Sequence, residues 1–263
     1  MPRAYLWEGG WIGVGRGLGV VPPHDHHAVQ ISLALDGELR VREPEGEWGS
    51  SPGAIILPDV SHCFDPCGRA VAMLFVDPEC LEGRWLRQSW RGPIEGIPLE
   101  RYGCCLSGLT ELLRRPMAVD EVTALVISVV RNLCVGPPPT RKIDARVVKA
   151  LQLIRASDAS RIPIEDVAAA VFLSPSRFAH VFSEVVGLPF RRYVLWRKLA
   201  RAMQLIARGR TLSAAAHGGG FADSAHLTRT FYQMFGISPT LMLGRGELYP
   251  IPAPFELGYA DET

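Results

Sequence analysis

No stretch of this chain is apolar for long enough to cross a bilayer. The longest such run, Val122–Val130, is broken by Thr123 and Ser128 and falls short of the ~20 residues a spanning helix needs. The N-terminus lacks a charged region followed by an apolar run and a cleavage site, so no export is expected. A cytoplasmic protein without a membrane partner is the expectation. The six cysteines follow no regular disulfide framework, which fits a reducing compartment. Lysine is scarce, and arginine supplies most of the positive charge.

Net charge is also nearly absent, +1 over 263 residues. That balance hides a segregation. Residues 1–140 carry 12 Lys and Arg against 17 Asp and Glu, whereas residues 141–245 carry 16 against 6. A basic C-terminal half beside an acidic N-terminal half is the electrostatic footprint of a nucleic-acid-binding module joined to something else. A hydrophobic content of 48% and this length allow two domains with proper cores.

The most informative stretch is 211–239, TLSAAAHGGGFADSAHLTRTFYQMFGISP. Leu212, Ala215 and Ala216 give a short helix an apolar face. Gly218, Gly219 and Gly220 allow a turn with positive φ and a close helix approach. Phe221 fills the angle, and Asp223 or Ala222 opens a second helix with Leu227, Phe231 and Met234 at helical spacing. Gly236 stops it and Pro239 lies beyond. The pattern GF-x-D-x-x-H-L-x-R-x-F-x-x-x-F-G-x-S-P, from Gly220 to Pro239, resembles the second helix-turn-helix of the AraC/XylS family of bacterial transcription regulators. His217, Gly218 and Gly219 depart from the helix formers usual in that family, and Leu243 stands where it commonly has Arg.

A second pattern, I-x-x-V-A-x-x-x-x-L-S-P-S-R-F-x-x-x-F-x-x-x-x-G from Ile164 to Gly187, resembles the family's first helix-turn-helix. Ser174-Pro175 is a cap-and-first-turn signal. Pro189 begins a long joining helix to about Arg208, and Ile143, Val147, Val148, Leu151 and Ile154 place an earlier one over 141–157. By the family's pattern, Ser176, Ala179 and His180 in the first unit and Ser224, Ala225, Thr228 and Arg229 in the second would face base edges. His180 and Arg229 can donate to guanine, Ser and Thr suit several bases, and Ala offers a methyl to thymine. Arg177, Arg191, Arg192 and Arg197 are phosphate candidates. Two such helices are expected to enter successive major grooves of double-stranded DNA, roughly 34 Å apart.

The N-terminal half has the periodicity of strands. Residues 1–21 read as one or two strands, and 28–42 as a strand pair through the Asp36-Gly37 hairpin signal. Strands over 53–58 and 69–77 follow, which suggests a small barrel or jelly roll. This segment resembles the cupin-like effector domain of the AraC family. By that resemblance His24 and His26 supply an H-x-H pair, Gln30 takes the place of a glutamate, and His62 is a third histidine. Together they would hold either a divalent metal (Zn, Ni, Cu or Fe) or a small-molecule effector, with His27 a substitute ligand or a supporting group. Cys63 and Cys67 read either as a thiol sensor or as two unrelated small residues.

From about residue 98 the period changes to that of helices. Leu99, Tyr102, Leu106, Leu109 and Leu113 form one stripe and Val122 to Leu133 another, resembling the family's dimerisation element. Thus 1–135 is expected to be a cupin-like β-barrel with two following helices. A proline-rich linker follows over 136–140, in which Thr140 caps the next helix. Residues 141–245 form an all-α double helix-turn-helix, and 246–263 a loose tail. The whole is an α+β two-domain protein. The expectation is a homodimeric, non-enzymatic DNA-binding regulator responding to an effector in the barrel. The rival is a metal-dependent cupin enzyme with a DNA-binding appendage.

Overall fold

The computed structural model describes residues 3–140, 143–157, 162–243 and 246–255. Within these, 3–139 and 228–255 form one compact unit and 140–227 the other. No helix among the described residues is long and apolar enough to cross a membrane.

The first unit holds two sheets. The larger takes β1 (Arg3–Trp7), β2 (Gly10–Gly15), β4 (Val29–Ala34), β7 (Gly53–Ile56), β9 (Val71–Val76), β10 (Ile94–Ile97) and β11 (Glu247–Pro250) in the order β10-β7-β4-β9-β2-β1-β11. The smaller has the order β3-β8-β5-β6, from β3 (Val21–His24), β5 (Leu39–Arg42), β6 (Gly49–Ser51) and β8 (His62–Asp65). Alternation decides what each face carries. Val29, Ile31 and Leu33 of β4 lie in one core with Ile12, Leu74 and the helices α1 (Leu81–Ser89), α2 (Leu106–Arg114) and α3 (Val119–Leu133). Ala34, Ala54, Ile56 and Val71 meet Val21, Leu39, Val41 and Phe64 of the smaller sheet in a second core. The central strand β4 is buried along its whole length, so its even-numbered polar residues, Gln30 and Ser32, are buried too.

Three expectations change here. The pair over 28–42 is not a hairpin: β4 bonds to β7 and β9, and β5 bonds to β6 and β8. The Asp36-Gly37 turn, with Gly37 at φ +82°, instead carries the chain from one sheet to the other. The stripe expected from Leu99 begins as two 3-10 turns, Leu99–Arg101 and Gly103–Cys105, before α2, and Leu99 is exposed. The apolar stripe of α3 is buried against the sheet within the unit, so packing alone accounts for it.

The tail is also ordered over its described part. β11 runs parallel to β1, Tyr249 stacks on Tyr5 at 4.7 Å, and Ile251 and Phe255 are buried in the core. The expectation for 256–263 lies outside the described residues. Edge pairing and two buried apolar side chains outweigh the local Pro and Gly content of this stretch.

The second unit is helical: α4 (Ala145–Ala156), α5 (Ile164–Ala170), α6 (Pro175–Val186), α7 (Phe190–Ala207) and α8 (Leu212–Gly218). Its core joins Val147, Leu151 and Ile154 to Val167, Phe178, Phe182, Phe190 and Tyr193. Asp144, not Thr140, caps α4 by accepting from the backbone N–H of Arg146 at 2.9 Å. Ser174 caps α6 as expected, and Gly187 ends it at φ +88°. The expected helix start at 141–142 lies outside the described residues.

The unusual glycines before Phe221 have a packing reason. A Cβ on Gly219 would stand 2.8 Å from Ala202 Cβ and 3.0 Å from the Lys198 carbonyl oxygen, both on α7. Lys198 Nζ and Arg201 Nε donate to the carbonyls of Gly220 and Gly218, at 3.0 and 2.8 Å, satisfying the C-terminal end of α8. Gly219→Val is therefore expected to destabilise this unit by about 1–3 kcal/mol through overpacking, measured by urea unfolding. An unchanged midpoint would mean that α7 and α8 are not this close.

The first boundary between the units falls at the expected linker, between 139 and 140, but the second falls within α9 (Ser224–Phe235) and not at residue 245. Phe235 and Ile237 explain this, because their side chains belong to the barrel: Phe235 packs on Phe75 at 5.6 Å, and Ile237 joins the inner core.

Candidate effector site and DNA-facing helices

His24, His26, Gln30 and His62 converge. β3 and β8 pair antiparallel with His24 opposite His62, and β4 brings Gln30 from the facing sheet. One ligand atom from each of the three histidines lies within 4.8 Å of the others, and all four residues are buried. The rings are oriented from behind. His24 Nδ1 lies 2.9 Å from the Pro22 carbonyl oxygen and His62 Nδ1 2.9 Å from that of Val60. A carbonyl only accepts, so both Nδ1 atoms carry the proton and both Nε2 atoms present lone pairs. Gln30 Oε1 lies 2.7 Å from His26 Nε2 and 3.3 Å from His62 Nε2, while its Nε2 donates to Ser32 Oγ at 2.9 Å.

The histidines are held neutral. Burial lowers the His24 pKa despite the Pro22 carbonyl. Burial, then the neighbouring His24, brings His26 down to about 3. Burial and the two other rings drive His62 well below the usual imidazole range. His27 is different. Its Nδ1 faces Asp59 Oδ2 at 2.9 Å and its Nε2 faces Glu79 Oε1 at 2.8 Å, so both nitrogens must donate. Burial opposes the charge, but Glu79 and Asp59 outweigh it and hold His27 as an imidazolium with a pKa of about 10. That rules it out as a ligand, since a protonated ring has no free lone pair.

Residues that the motif did not point to complete the site. Phe235, at the end of α9, lies 6.0 Å from the His26 ring and 6.3 Å from Trp11. Trp11 stacks on Phe75 at 4.3 Å. The space beside His24 and Gln30 is only about 20 Å³, lined by Trp11, Phe75 and Phe235 among others. Trp11 also lines a neighbouring cavity of about 180 Å³, with Arg3, Arg16, Leu18, Met73 and Leu248. The Trp11 indole nitrogen is buried without a hydrogen-bond partner among the described residues. Arg3 pairs with Glu247 at 2.5 Å and Arg16 with Asp36 at 2.5 Å.

Cys63 is buried in β8, and Cys67 lies exposed in the following turn at φ +52°. Alternation sets Cys63 on the strand face opposite His62 and Phe64. Both thiols are free.

On α6, Ser176, Arg177 and His180 are exposed and Ala179 is half-buried. On α9, Ala225 and Arg229 are exposed, while Ser224 and Thr228 are half-buried. Asp223 caps α9 through the backbone N–H of His226 at 2.6 Å. Arg191 and Arg192 are exposed, but Arg197 is buried on the inner face of α7, which removes it as a phosphate contact. The turn between α5 and α6 presents Phe172, 91% exposed at φ +57°, with Lys149 Nζ 5.6 Å over its ring. Nothing in the hydrophobic periodicity marks this exposure.

Residues 167–245 match a family model described as a helix-turn-helix domain. Over 105 residues the chain is 29% identical to the regulatory protein PocR of Salmonella typhimurium, covering 40% of this chain and 34% of that protein. Over 134 residues it is 31% identical to the arabinose operon regulatory protein of the same organism, covering 50% and 42%. The chain thus spans less than half the length of either relative. Among solved structures, ToxT from Vibrio cholerae O395 has the same fold, with a TM-score of 0.59 at 11% identity over 90% of this chain and 99% of that one. ToxT bound to an unsaturated fatty acid matches with a TM-score of 0.57 at 11% identity, over 89% and 95%. It has also been solved with (E)-4-(8-methylnaphthalen-1-yl)but-3-enoic acid, at a TM-score of 0.58 and 10% identity over 90% and 98%. Residues 167–245 thus form a helix-turn-helix domain, and the chain is similar to these bacterial regulatory proteins.

Proposed function

We propose that this chain is a cytoplasmic, sequence-specific DNA-binding transcription regulator whose barrel unit binds a small effector. The observation that carries the DNA reading is the pair of capped helices, α6 and α9, that leave His180 and Arg229 in solvent within the basic half of the chain. A donor on an exposed helix face suits guanine in the major groove. Arg229→Ala is expected to cost about 1–3 kcal/mol at the preferred site and to relax base choice there. Arg177→Ala, by contrast, weakens binding to all sequences alike and lowers the salt slope by about 1. Titrations of both variants on specific and scrambled duplexes at several salt concentrations separate these roles. Equal losses on both duplexes for Arg229→Ala would remove it from base reading.

The effector reading draws on the larger cavity. Its walls are apolar, two arginines stand at it, and the Trp11 indole N–H has no partner among the described residues. An apolar carboxylic acid suits all three features, and the two acids named with ToxT are of that class. The enzyme reading has little room: a space of about 20 Å³ beside His24 and Gln30 admits a water, not an organic substrate. A homodimer is part of the same proposal, with the exposed Leu99 and Val119 as its apolar contacts. Light scattering at the mass of one chain would count against it.

A further inference from the structure

We propose that Cys104 and Cys105 form a vicinal dithiol site that chelates trivalent arsenic, as the inorganic hydroxide or as a monosubstituted arsenical. This goes beyond the regulator reading and stands whether or not the chain binds DNA.

The two sulfurs lie 3.8 Å apart, at the 3-10 turn Gly103–Cys105 that leads into α2. Neighbouring residues in a regular helix do not face each other; at this change of helix type they do. Residues of α3 back the pair. Asn132 Nδ2 donates to Cys104 Sγ at 3.3 Å and to Cys105 Sγ at 3.5 Å, and Ser128 Oγ lies 3.4 Å from Cys105 Sγ. The Asn132 amide is itself anchored on the Ser128 carbonyl oxygen at 2.9 Å. One fixed amide thus restrains both thiols. Cys104 is exposed and Cys105 buried, and a Cβ on Gly103 would meet nothing within 4 Å. The pair is approached from the Cys104 side, over an unobstructed turn.

Thiolates are soft ligands and select soft ions. Two sulfurs are too few for tetrahedral zinc, which takes four ligands, but they complete the valence of arsenic that carries one organic group. Each As–S bond forms as an As–OH bond breaks, and the thiol proton leaves with the hydroxide as water. Two thiols therefore release two waters, and no oxidant or reductant is needed. The second bond closes within the molecule, so it gains the effective concentration of a tethered group and outlasts bonding to any single thiol.

Oxidation of the pair is the poorer fit. A disulfide would draw the sulfurs from 3.8 Å to about 2.05 Å. Burial also pushes the Cys105 pKa up, and a thiol kept protonated is not the nucleophile that thiol–disulfide chemistry uses. The exchange at arsenic carries that proton away as water.

The test treats reduced full-length protein, freed of reductant, with phenylarsine oxide, which hydrates to the dihydroxide. Intact mass and free thiols are read. One arsenical per chain is expected, with two thiols lost, stable to excess monothiol and released by a dithiol. Cys104→Ser should abolish the monothiol-stable adduct, whereas Cys67→Ser, at the other exposed thiol, should keep it. An adduct retained in Cys104→Ser, or formed by the parent only after unfolding, overturns the proposal. If circular dichroism shows Cys104→Ser unfolded, tryptic mapping of the parent adduct decides. Arsenic on the peptide Tyr102–Arg114, which holds both thiols, supports the site, and arsenic on any other peptide overturns it.

Discussion

His27→Ala is expected to destabilise the barrel unit by about 3–5 kcal/mol, the cost of breaking a buried ion pair from one side. His27 and Glu79 are both almost fully shielded from water, and the imidazolium bridges Glu79 and Asp59 at 2.8 and 2.9 Å. Removing it leaves the Glu79 carboxyl buried, beside Asp77 and without its cation, where burial and Asp77 already push its pKa up. For a protein of this size the loss corresponds to a fall in Tm on the order of 10 °C. The exposed Arg16–Asp36 pair, at 2.5 Å, is the contrast. Arg16→Ala should change stability by no more than about 1 kcal/mol, because water screens both partners. Urea unfolding of both variants measures the difference. Equal, small effects would mean that His27 is not charged in the folded protein.

Gly236→Val is the second large effect, at about 2–5 kcal/mol. Gly236 lies at φ +66°, and a Cβ there would meet Val21 Cγ1 at 2.5 Å and the Pro22 carbonyl oxygen at 3.0 Å. The left-handed backbone alone costs an L-residue about 1–2 kcal/mol, and overpacking adds about 1–3 kcal/mol. Gly187 isolates the first contribution: it lies at φ +88° with nothing within 4 Å of a Cβ. Gly187→Ala should therefore lose only about 1 kcal/mol, from conformation. If Gly236→Val were no worse than Gly187→Ala, the end of α9 would not be packed on β3.

The helical half was largely legible because its signals are local. Ser174-Pro175, Gly187, Asp223 and Gly236 all mark helix ends through their own side chains or φ, and Phe178, Phe182, Leu227 and Phe231 recur at helical spacing. The histidine cluster was legible through the H-x-H pair and the spacing to Gln30 and His62. Strand pairing was not. Alternation in 28–42 identifies two strands but not their partners, which are set by contacts far away in the chain. The same limit hid β11, whose pairing with β1 joins residues more than 240 positions apart. Neither could the motif reveal that Phe235 leaves the helix-turn-helix to cover His26, since a core phenylalanine has the same periodicity whichever core it enters. His27 looked like a spare ligand because its two carboxylate partners, Asp59 and Glu79, lie on other loops.

The most direct test of the regulator reading is selection of binding sites from random double-stranded DNA by the full-length protein at physiological salt. The winning sequence is then titrated beside a scrambled duplex. The account predicts a recurrent site bound at least about 1,000-fold more tightly than the scrambled duplex, with the ratio falling in Arg229→Ala and His180→Ala. Recovery of no common sequence, with both duplexes bound alike and only in proportion to salt, would contradict it.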